Sequence, residues 1–348
     1  MNENARNFVL VGAALIAGIA GGFLTRAFSS PGQQTAAGDA RRPIIQLVRQ
    51  QPGLPSLADA IDSICPELAP VMPVGASANG APQSAGQAPA SVPAFVVSAG
   101  GWLMASTQSL PMGDLQAVFG PANVAAISEV RSDPVSGLSI LKSAATGLRP
   151  VVWADQNFPR IGDFGFALQN ARGTGCSAEA AMVSSDFLTD GGAPAAYVRF
   201  DPMGPDLQPG TPVFSSNGQV LGVVGTGVPT NAIVPAEMVS AILDELLRNS
   251  LSPTTKFGFR AVDYDAAVSQ RLSNSRSRGA GVALVQPKSP AAAAGLQAGD
   301  IVLAVDGSPV ASASELGRAL DSAGQSASLD IARGDQHLTL KVGRTTIG

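Results

Sequence analysis

Short runs of hydrophobic residues, separated by Gly, Pro, Asn and Asp, fill the chain from residue 92 to about residue 227. Many short apolar runs between turn-forming residues, without a long helical period, are typical of a β-barrel or a β-sandwich. The fold class is therefore predicted to be mainly β. The clearest strands are predicted at Ala94–Ser98, Trp102–Ala105, Leu138–Leu141, Val151–Trp153, Phe164–Leu168, Tyr197–Phe200 and Val220–Val224.

Apolar residues three and four positions apart predict two helices beside these strands. The first spans Ser56–Cys65, where the Ser56 side chain can cap the helix and Ile61 and Ile64 share one face. The second spans Val234–Leu247 and is also apolar along one side. Both helices are expected to pack that face against the β-rich part of the chain.

The last part of the chain, from residue 256 onward, mixes short strands with two short helices. Asp306 and Gly307 form a hairpin signal, because both residue types tolerate a positive φ. Strands are predicted at Gly281–Val285, Ile301–Val305, Ser328–Ala332 and Leu338–Val342, and helices at Ser289–Gly295 and Glu315–Leu320.

The N-terminal region carries an uncharged apolar stretch at residues 8–24. Extended to Phe28 as a helix, this stretch would be about 30 Å long, close to the thickness of the hydrocarbon core of a bilayer. We therefore predict a short tail at 1–7, a transmembrane anchor at 8–28 in contact with the lipid bilayer, and a flexible linker at 29–53. The alternative is a cleaved signal peptide, since Arg6 precedes the apolar stretch near the N-terminus.

Composition excludes several classes of function. The chain has one His and two Cys among 348 residues, so a zinc site of clustered His and Cys lacks its ligands. The net charge of −4 argues against a partner that is a nucleic acid. We therefore predict no metal, no cofactor and no nucleic acid.

Two phrases of the C-terminal region carry a family resemblance. KFGF at 256–259 and SPAAAAGLQAGDIVLAVDGSPV at 289–310, together with the order of the predicted elements, closely resemble a PDZ domain of the bacterial periplasmic type. The resemblance covers nearly all of residues 256–348. It implies a module that binds an extended peptide as an added strand and holds its C-terminal carboxylate.

The PDZ resemblance also implies which residues bind the peptide. Phe257, Gly258 and Phe259 would form the carboxylate-binding loop and the start of the pairing strand, and Leu316 and Leu320 would line the pocket for the last side chain. The alternative is that these Phe and Leu residues are only core. Lys256 and Arg260 flank the loop and would favour a negatively charged terminus. A side chain at Gly258 would crowd the carboxylate of the peptide while leaving the fold intact.

Four phrases of the middle region resemble the trypsin-fold serine proteases of the HtrA/DegP-like family. They are SLADAIDSICPELAPV at 56–71, VVSAGGWLMASTQSL at 96–110, SDPVSGLSILK at 132–142 and QPGTPVFSSNGQVLGVVG at 208–225. The resemblance implies a trypsin-like double β-barrel at 54–250, followed by the PDZ domain at 256–348.

The same alignment places three unusual residues where that family has its catalytic triad. Gln108 stands in the position of the His, Gly137 in that of the Asp and Pro209 in that of the Ser. A Ser-His-Asp mechanism needs a nucleophile, a base and a carboxylate that orients the base. None of the three residues has the required group, so the sequence predicts no catalytic residues and a protein that is not an enzyme.

Two substitute nucleophiles can be considered. A Ser-Lys pair would have to use Lys142, since it is the only Lys of the middle region, but a Lys at this place is also an ordinary surface charge. Cys176 has no His partner in this region. In an oxidising compartment, Cys65 and Cys176 could instead form a disulfide.

These observations predict a periplasmic pseudoprotease, anchored in the bacterial inner membrane by a single span, that acts in protein quality control as an adaptor or regulator. Its partners would be protein or peptide C-termini at the PDZ domain, and it could form a homo-oligomer. The alternative is an active HtrA-like envelope protease with an unrecognised catalytic site. A PDZ-bearing subunit of a secretion apparatus is a third reading, but it leaves the protease-like middle region unexplained.

Overall fold

The computed structural model describes residues 56–345, except for 75–90, 120–122, 155–158, 171–174, 186–187, 191–192, 196–197, 203, 205–206, 226–230 and 265–278. The predicted tail, anchor and linker at 1–53 lie outside the described residues. Within the described ranges, no helix is both long enough and apolar enough to cross a membrane.

The first β-barrel is a six-stranded sheet that closes on itself. The backbone groups of Val71 and Val92 exchange two hydrogen bonds of 2.8 and 2.9 Å, which brings the first strand beside the start of the second. The strands follow the order β1-β4-β5-β6-β3-β2, where β1 is Val71–Pro73, β2 Ala94–Ser98, β3 Trp102–Ser106, β4 Leu115–Val118, β5 Val124–Asp133 and β6 Leu138–Ser143.

The second β-barrel is a seven-stranded sheet with a small hairpin beside it. Its order is β13-β8-β9-β12-β15-β14-β7, and an additional pairing of β13 with β14 closes the ring. The strands are β7 (Val152–Trp153), β8 (Phe164–Gln169), β9 (Ser177–Ser185), β12 (Val198–Asp201), β13 (Pro212–Ser215), β14 (Gln219–Val224) and β15 (Ala232–Pro235); the hairpin is β10 (Leu188–Asp190) with β11 (Ala193–Ala195).

Two helices pack against the barrels as the apolar periodicity predicts. Helix α1 (Leu57–Ile64) begins at Ser56, whose hydroxyl accepts the backbone N–H of Asp59, while the Asp59 carboxylate accepts the backbone N–H of Ser56. Helix α2 (Ala236–Leu247) buries one face in a core shared with both barrels. It starts two residues later than predicted, because Val234 and its neighbours are paired in β15 instead.

The C-terminal region forms a separate sheet with two short helices. Its order is β16-β17-β18-β20-β21, with β19 paired to β18 across the predicted hairpin. The elements are β16 (Phe259–Tyr264), β17 (Gly279–Val285), α3 (Pro290–Ala293), β18 (Ile301–Val305), β19 (Ser308–Pro309), α4 (Ala313–Ser322), β20 (Ser326–Arg333) and β21 (Gln336–Gly343). We keep the borders 54–250 and 256–348 as proposed domain limits.

The pairing strand that the PDZ resemblance implies after the loop begins at Phe259. Residues 253–257 form a 3-10 helix, which ends at Gly258 with φ +86°. Only Gly adopts this left-handed conformation at little cost, so the backbone turns sharply before it enters β16.

Glu67, at the end of the 3-10 turn after α1, gives the fold a pH dependence. Burial raises the pKa of Glu67 to about 7, although the charge of Arg149 opposes the shift. The pKa of Glu67 is higher in the folded than in the unfolded chain, so protonation of this carboxyl stabilises the fold. That stabilisation is complete below about pH 4.5 and is lost as the pH rises through about 7. We therefore expect Glu67→Gln to raise the Tm at pH 8 by a few degrees and to change it little at pH 4.5.

Thermal unfolding at the two pH values measures this effect, with Asp62→Asn on the exposed side of α1 as the control. Equal shifts at both pH values would show that Glu67 does not titrate with folding.

Candidate functional site

The first candidate site is the place where the segments that hold Gln108, Gly137 and Pro209 meet, and we call it the cleft. Gln108 is exposed in the 3-10 turn Thr107–Ser109, directly after β3. Gly137 is buried in the turn between β5 and β6, and its carbonyl oxygen accepts the backbone N–H of Thr107 at 2.8 Å. The loop that holds Pro209 reaches the same place.

The residue that brings this loop against the end of β3 is Gly210, directly after Pro209. Gly210 has φ +90°, and a Cβ atom there would lie 2.6 Å from the backbone nitrogen of Ser106. The absence of a side chain therefore lets the 209–210 turn approach the end of β3. The three segments meet as the family resemblance implies, although their equivalence to triad positions stays a prediction.

Several hydroxyl groups lie at this meeting point. The Ser139 hydroxyl lies 2.7 Å from the hydroxyls of both Thr107 and Ser132. The hydroxyl of Ser106 is buried, and it has no hydrogen-bond partner among the described residues. The sequence analysis missed these groups, because Ser and Thr are too common along the chain to mark a site without their positions.

Neither substitute nucleophile is available at the cleft. Lys142 pairs with Trp102 in the register of β3 and β6, whereas Ser106 pairs with Leu138 at the opposite end of the two strands. Four residues of strand separate them by roughly 14 Å. The Lys142 ammonium donates to the carbonyl of Gly100 and lies over the Trp102 ring, so a Ser-Lys pair does not form.

The two cysteines are joined to each other. The sulfurs of Cys65 and Cys176 form a disulfide, with 5.9 Å between the Cα atoms. Cys176 therefore holds no thiol that could act as a nucleophile. The bond links the turn after α1 to the segment that precedes β9.

The second candidate site is the groove between β16 and α4. Among the described strands, β16 pairs only with β17, so its outer edge is free of strand partners and faces α4. The predicted pocket residues Phe257, Phe259, Leu316 and Leu320 share one hydrophobic cluster. Each of them is 0% exposed, so in this structure the groove is closed over them.

Gly258 has a structural role that the sequence did not reveal. A Cβ atom on Gly258 would lie 2.2 Å from the Cβ atom of Ser289, which caps α3. The expectation that a side chain here would leave the fold intact is therefore wrong. The N–H of Gly258 is also occupied, since it donates to the carbonyl of Thr255 at 3.0 Å.

Arg260 does not serve the peptide groove, which corrects its predicted role. Its guanidinium donates to Asp133 at 2.8 Å and to Glu245 at 2.9 Å, and the side chain is only 7% exposed. Burial lowers the pKa of Arg260, but the charges and hydrogen bonds of the two carboxylates outweigh burial and raise the pKa above its ordinary value. Arg260 thus connects β16 to the first barrel and to α2.

Two polar residues beside the carboxylate loop were also missed. The Arg344 guanidinium lies over the Phe257 ring at 5.6 Å, and the backbone N–H of Thr345 donates to the carbonyl of Lys256. Both residues follow β21, far from the loop in sequence, so no local pattern could have placed them there. Within the described ranges, no group of three or more His, Cys, Asp or Glu residues could hold a metal ion.

Comparison with known proteins agrees with both parts of the fold. A family profile described as a PDZ domain matches residues 281–333. A "Probable periplasmic serine endoprotease DegP-like" of Brucella suis is 26% identical over 235 residues, which cover 64% of this chain and 46% of that protein. Residues 281–333 thus match a PDZ domain, and the chain is similar to periplasmic serine endoproteases named DegP-like.

Other relatives carry similar names. A "Probable periplasmic serine protease do/HhoA-like" of Haemophilus influenzae is 26% identical over 198 residues, covering 54% of this HtrA/DegP-like chain and 42% of that protein. The chain thus spans less than half the length of these two relatives. The solved serine endoprotease from Yersinia pestis is similar at 17% identity and a TM-score of 0.49, over 84% of this chain and 99% of that one.

The comparisons correct one prediction of the sequence analysis. The chain was predicted not to be an enzyme, but the relatives similar to it are named as serine proteases and endoproteases. That prediction is wrong and is withdrawn. The membrane anchor gains no support from these relatives, whose names place them in the periplasm.

Proposed function

We propose that this HtrA/DegP-like protein is a periplasmic endoprotease of protein quality control that captures polypeptides by their C-termini. The observation that carries the capture is the free edge of β16 beside the apolar face of α4. A peptide added to this edge would pair its backbone with β16, and its last side chain would enter the cluster around Leu316. Phe257, Gly258 and Phe259 would hold the terminus.

Peptide binding to the full chain tests the capture. Fluorescence anisotropy with decapeptides that end in Val, Leu, Ile or Phe should show micromolar affinity for the free acids and weaker binding of the matching C-terminal amides. If no peptide binds, or if acids and amides bind equally well, the groove does not read C-termini.

The proposed cleavage is supported by the names of the relatives and by the hydroxyl groups of the cleft. Gln108, Gly137 and Pro209 cannot supply base, carboxylate and nucleophile, so an active cleft must draw on other groups. Of the four hydroxyls at the meeting point, those of Ser106 and Thr107 are at the end of β3, and that of Ser139 is hydrogen-bonded to Thr107. We therefore propose that the nucleophile is one of these hydroxyls.

Hydrolysis of unfolded casein by the purified full chain tests this assignment. Ser106→Ala, Thr107→Val and Ser139→Ala are compared with Ser128→Ala, which removes an exposed hydroxyl of β5 away from the cleft. We expect one of the first three variants to lose cleavage and the control to keep it. Absence of cleavage by the unaltered chain would overturn the endoprotease proposal, and cleavage by all four variants would overturn the cleft as its site.

A further inference from the structure

The peptide groove is held closed by polar contacts at both of its ends. At one end, the Lys256 ammonium lies 3.0 Å from the Asp321 carboxylate, which joins the carboxylate loop to the last turn of α4. At the other end, the backbone N–H of Ala313 donates to the Asp263 carboxylate at 2.7 Å, joining the first turn of α4 to β16. A peptide can add to β16 only if α4 moves away from it.

The contacts at the two ends of the groove differ in whether the terminal carboxylate of a bound peptide could replace them. A peptide on β16 would bring its terminal carboxylate to the loop at Lys256, because that loop precedes the strand. The Lys256 ammonium already pairs with the Asp321 carboxylate, and the terminal carboxylate of the peptide could take the place of Asp321 in this pair. The contact at Asp263 lies at the other end of the groove, near the end of β16, so the terminal carboxylate at the loop does not reach it.

Lys256 is the cationic side chain beside the loop that can change its partner. Arg260 is buried against Asp133 and Glu245, and the Arg344 guanidinium lies over the Phe257 ring at 5.6 Å. The side chains of Lys256 and Asp321 are 45% and 51% exposed, so water and ions reach their contact. Ion pairs with this exposure are weak and re-form readily with another partner.

We propose that Asp321 occupies, in the free protein, the place on Lys256 that the terminal carboxylate of a bound peptide takes. This inference rests on the proposed capture of C-termini, and it makes Lys256 the residue that distinguishes an acid from an amide. A free acid replaces Asp321 charge for charge and releases the end of α4. A C-terminal amide or an internal stretch of chain has no charge to exchange, so the contact with Asp321 opposes its binding without compensation.

The test measures peptide binding to the full chain in low salt, using the tightest decapeptide acid from the panel above and its amide. Asp321→Asn removes the competing carboxylate, and we expect it to bind the acid about 3- to 5-fold more tightly. The amide should gain by a similar factor, because it too must separate Lys256 from Asp321, so the preference for the acid should remain. Lys256→Gln should bind the acid and the amide almost equally, and the double variant should behave like Lys256→Gln.

Asp335→Asn is the matched control, because it removes the same charge from an exposed turn between β20 and β21. It should leave both affinities unchanged. Raising the salt to about 1 M should shrink the gain of Asp321→Asn, since exposed charges are then screened. Equal Tm values for all variants would show that the domain stays folded.

The possible failures are distinct. If the unaltered chain prefers the acid but Asp321→Asn binds it no more tightly, the exchange is overturned and capture of C-termini stands. If the unaltered chain has no preference for the acid, the proposed capture itself fails.

Discussion

Replacing Arg260 by Met is expected to lower the free energy of unfolding by about 3–5 kcal/mol. Asp133 is 0% exposed and would keep a buried charge without its cation, although its carboxylate would still accept the backbone N–H of Ser136. Removing one partner of a buried ion pair costs this much because the remaining charge has already lost its water. Urea unfolding of the full chain, followed by tryptophan fluorescence, measures the change.

Arg248→Met is the matched control for this prediction. Arg248 pairs with Asp244 on α2 at 3.5 Å, but their side chains are 76% and 64% exposed. An exposed pair of this kind contributes about 0–1 kcal/mol, so the control should unfold almost as the unaltered chain does. A loss below about 1 kcal/mol in Arg260→Met would mean that water reaches Asp133 and compensates its charge.

The location of this ion pair makes it relevant to function. Arg260 belongs to β16, the proposed peptide-binding strand, and Asp133 begins the turn that contains Gly137 at the cleft. The same guanidinium contacts Glu245 on α2, whose carboxylate also accepts the backbone N–H of Ser252 before the PDZ region. Loss of Arg260 should therefore loosen the attachment of the PDZ domain to the barrels as well as lower stability.

Substitution of Gly258 by Ala is expected to destabilise the PDZ domain by about 3 kcal/mol or more. Two costs add together: a non-Gly residue at φ +86° is strained by about 1–2 kcal/mol, and its Cβ atom would overlap Ser289 at 2.2 Å. The overlap involves the Cβ atom of Ser289, close to the backbone, so rotation of a side chain cannot relieve it. The loss should appear as a lower unfolding temperature by circular dichroism.

Gly295→Ala separates the two costs. Gly295 has almost the same φ, +84°, but a Cβ atom there would meet nothing within 4 Å. This variant should lose only the conformational cost of about 1–2 kcal/mol. Equal losses in both variants would show that Ser289 moves aside and that contact between the carboxylate loop and α3 contributes little.

The difference between these two glycines shows a limit of sequence reasoning. Both stand beside turn signals, and the pattern alone indicates a turn for each of them. Whether a side chain fits depends on Ser289, which lies 31 residues from Gly258 and reaches it only because α3 packs over the loop. The steric cost is therefore a property of the tertiary structure.

The local elements of this HtrA/DegP-like chain were predictable from its sequence, because they depend on residues near one another. Short apolar runs predicted strands such as β2 and β18 with their observed limits, and Ser56 marked the start of α1. The phrases of the PDZ and protease regions also indicated the family. Each of these signals is contained in a short window, where burial, capping and turn geometry are set by spacing.

The tertiary structure decided what each charged or reactive residue does. Arg260 was assigned to the peptide terminus from its position beside the loop, but folding brings it against Asp133, 127 residues earlier in the chain. The hydroxyls of Ser106, Thr107 and Ser139 become neighbours only when β3 and β6 pair, and Lys256 meets Asp321 only when α4 packs on the loop. Electrostatic and hydrogen-bond energies depend on distance and burial, which sequence spacing does not specify for residues far apart along the chain.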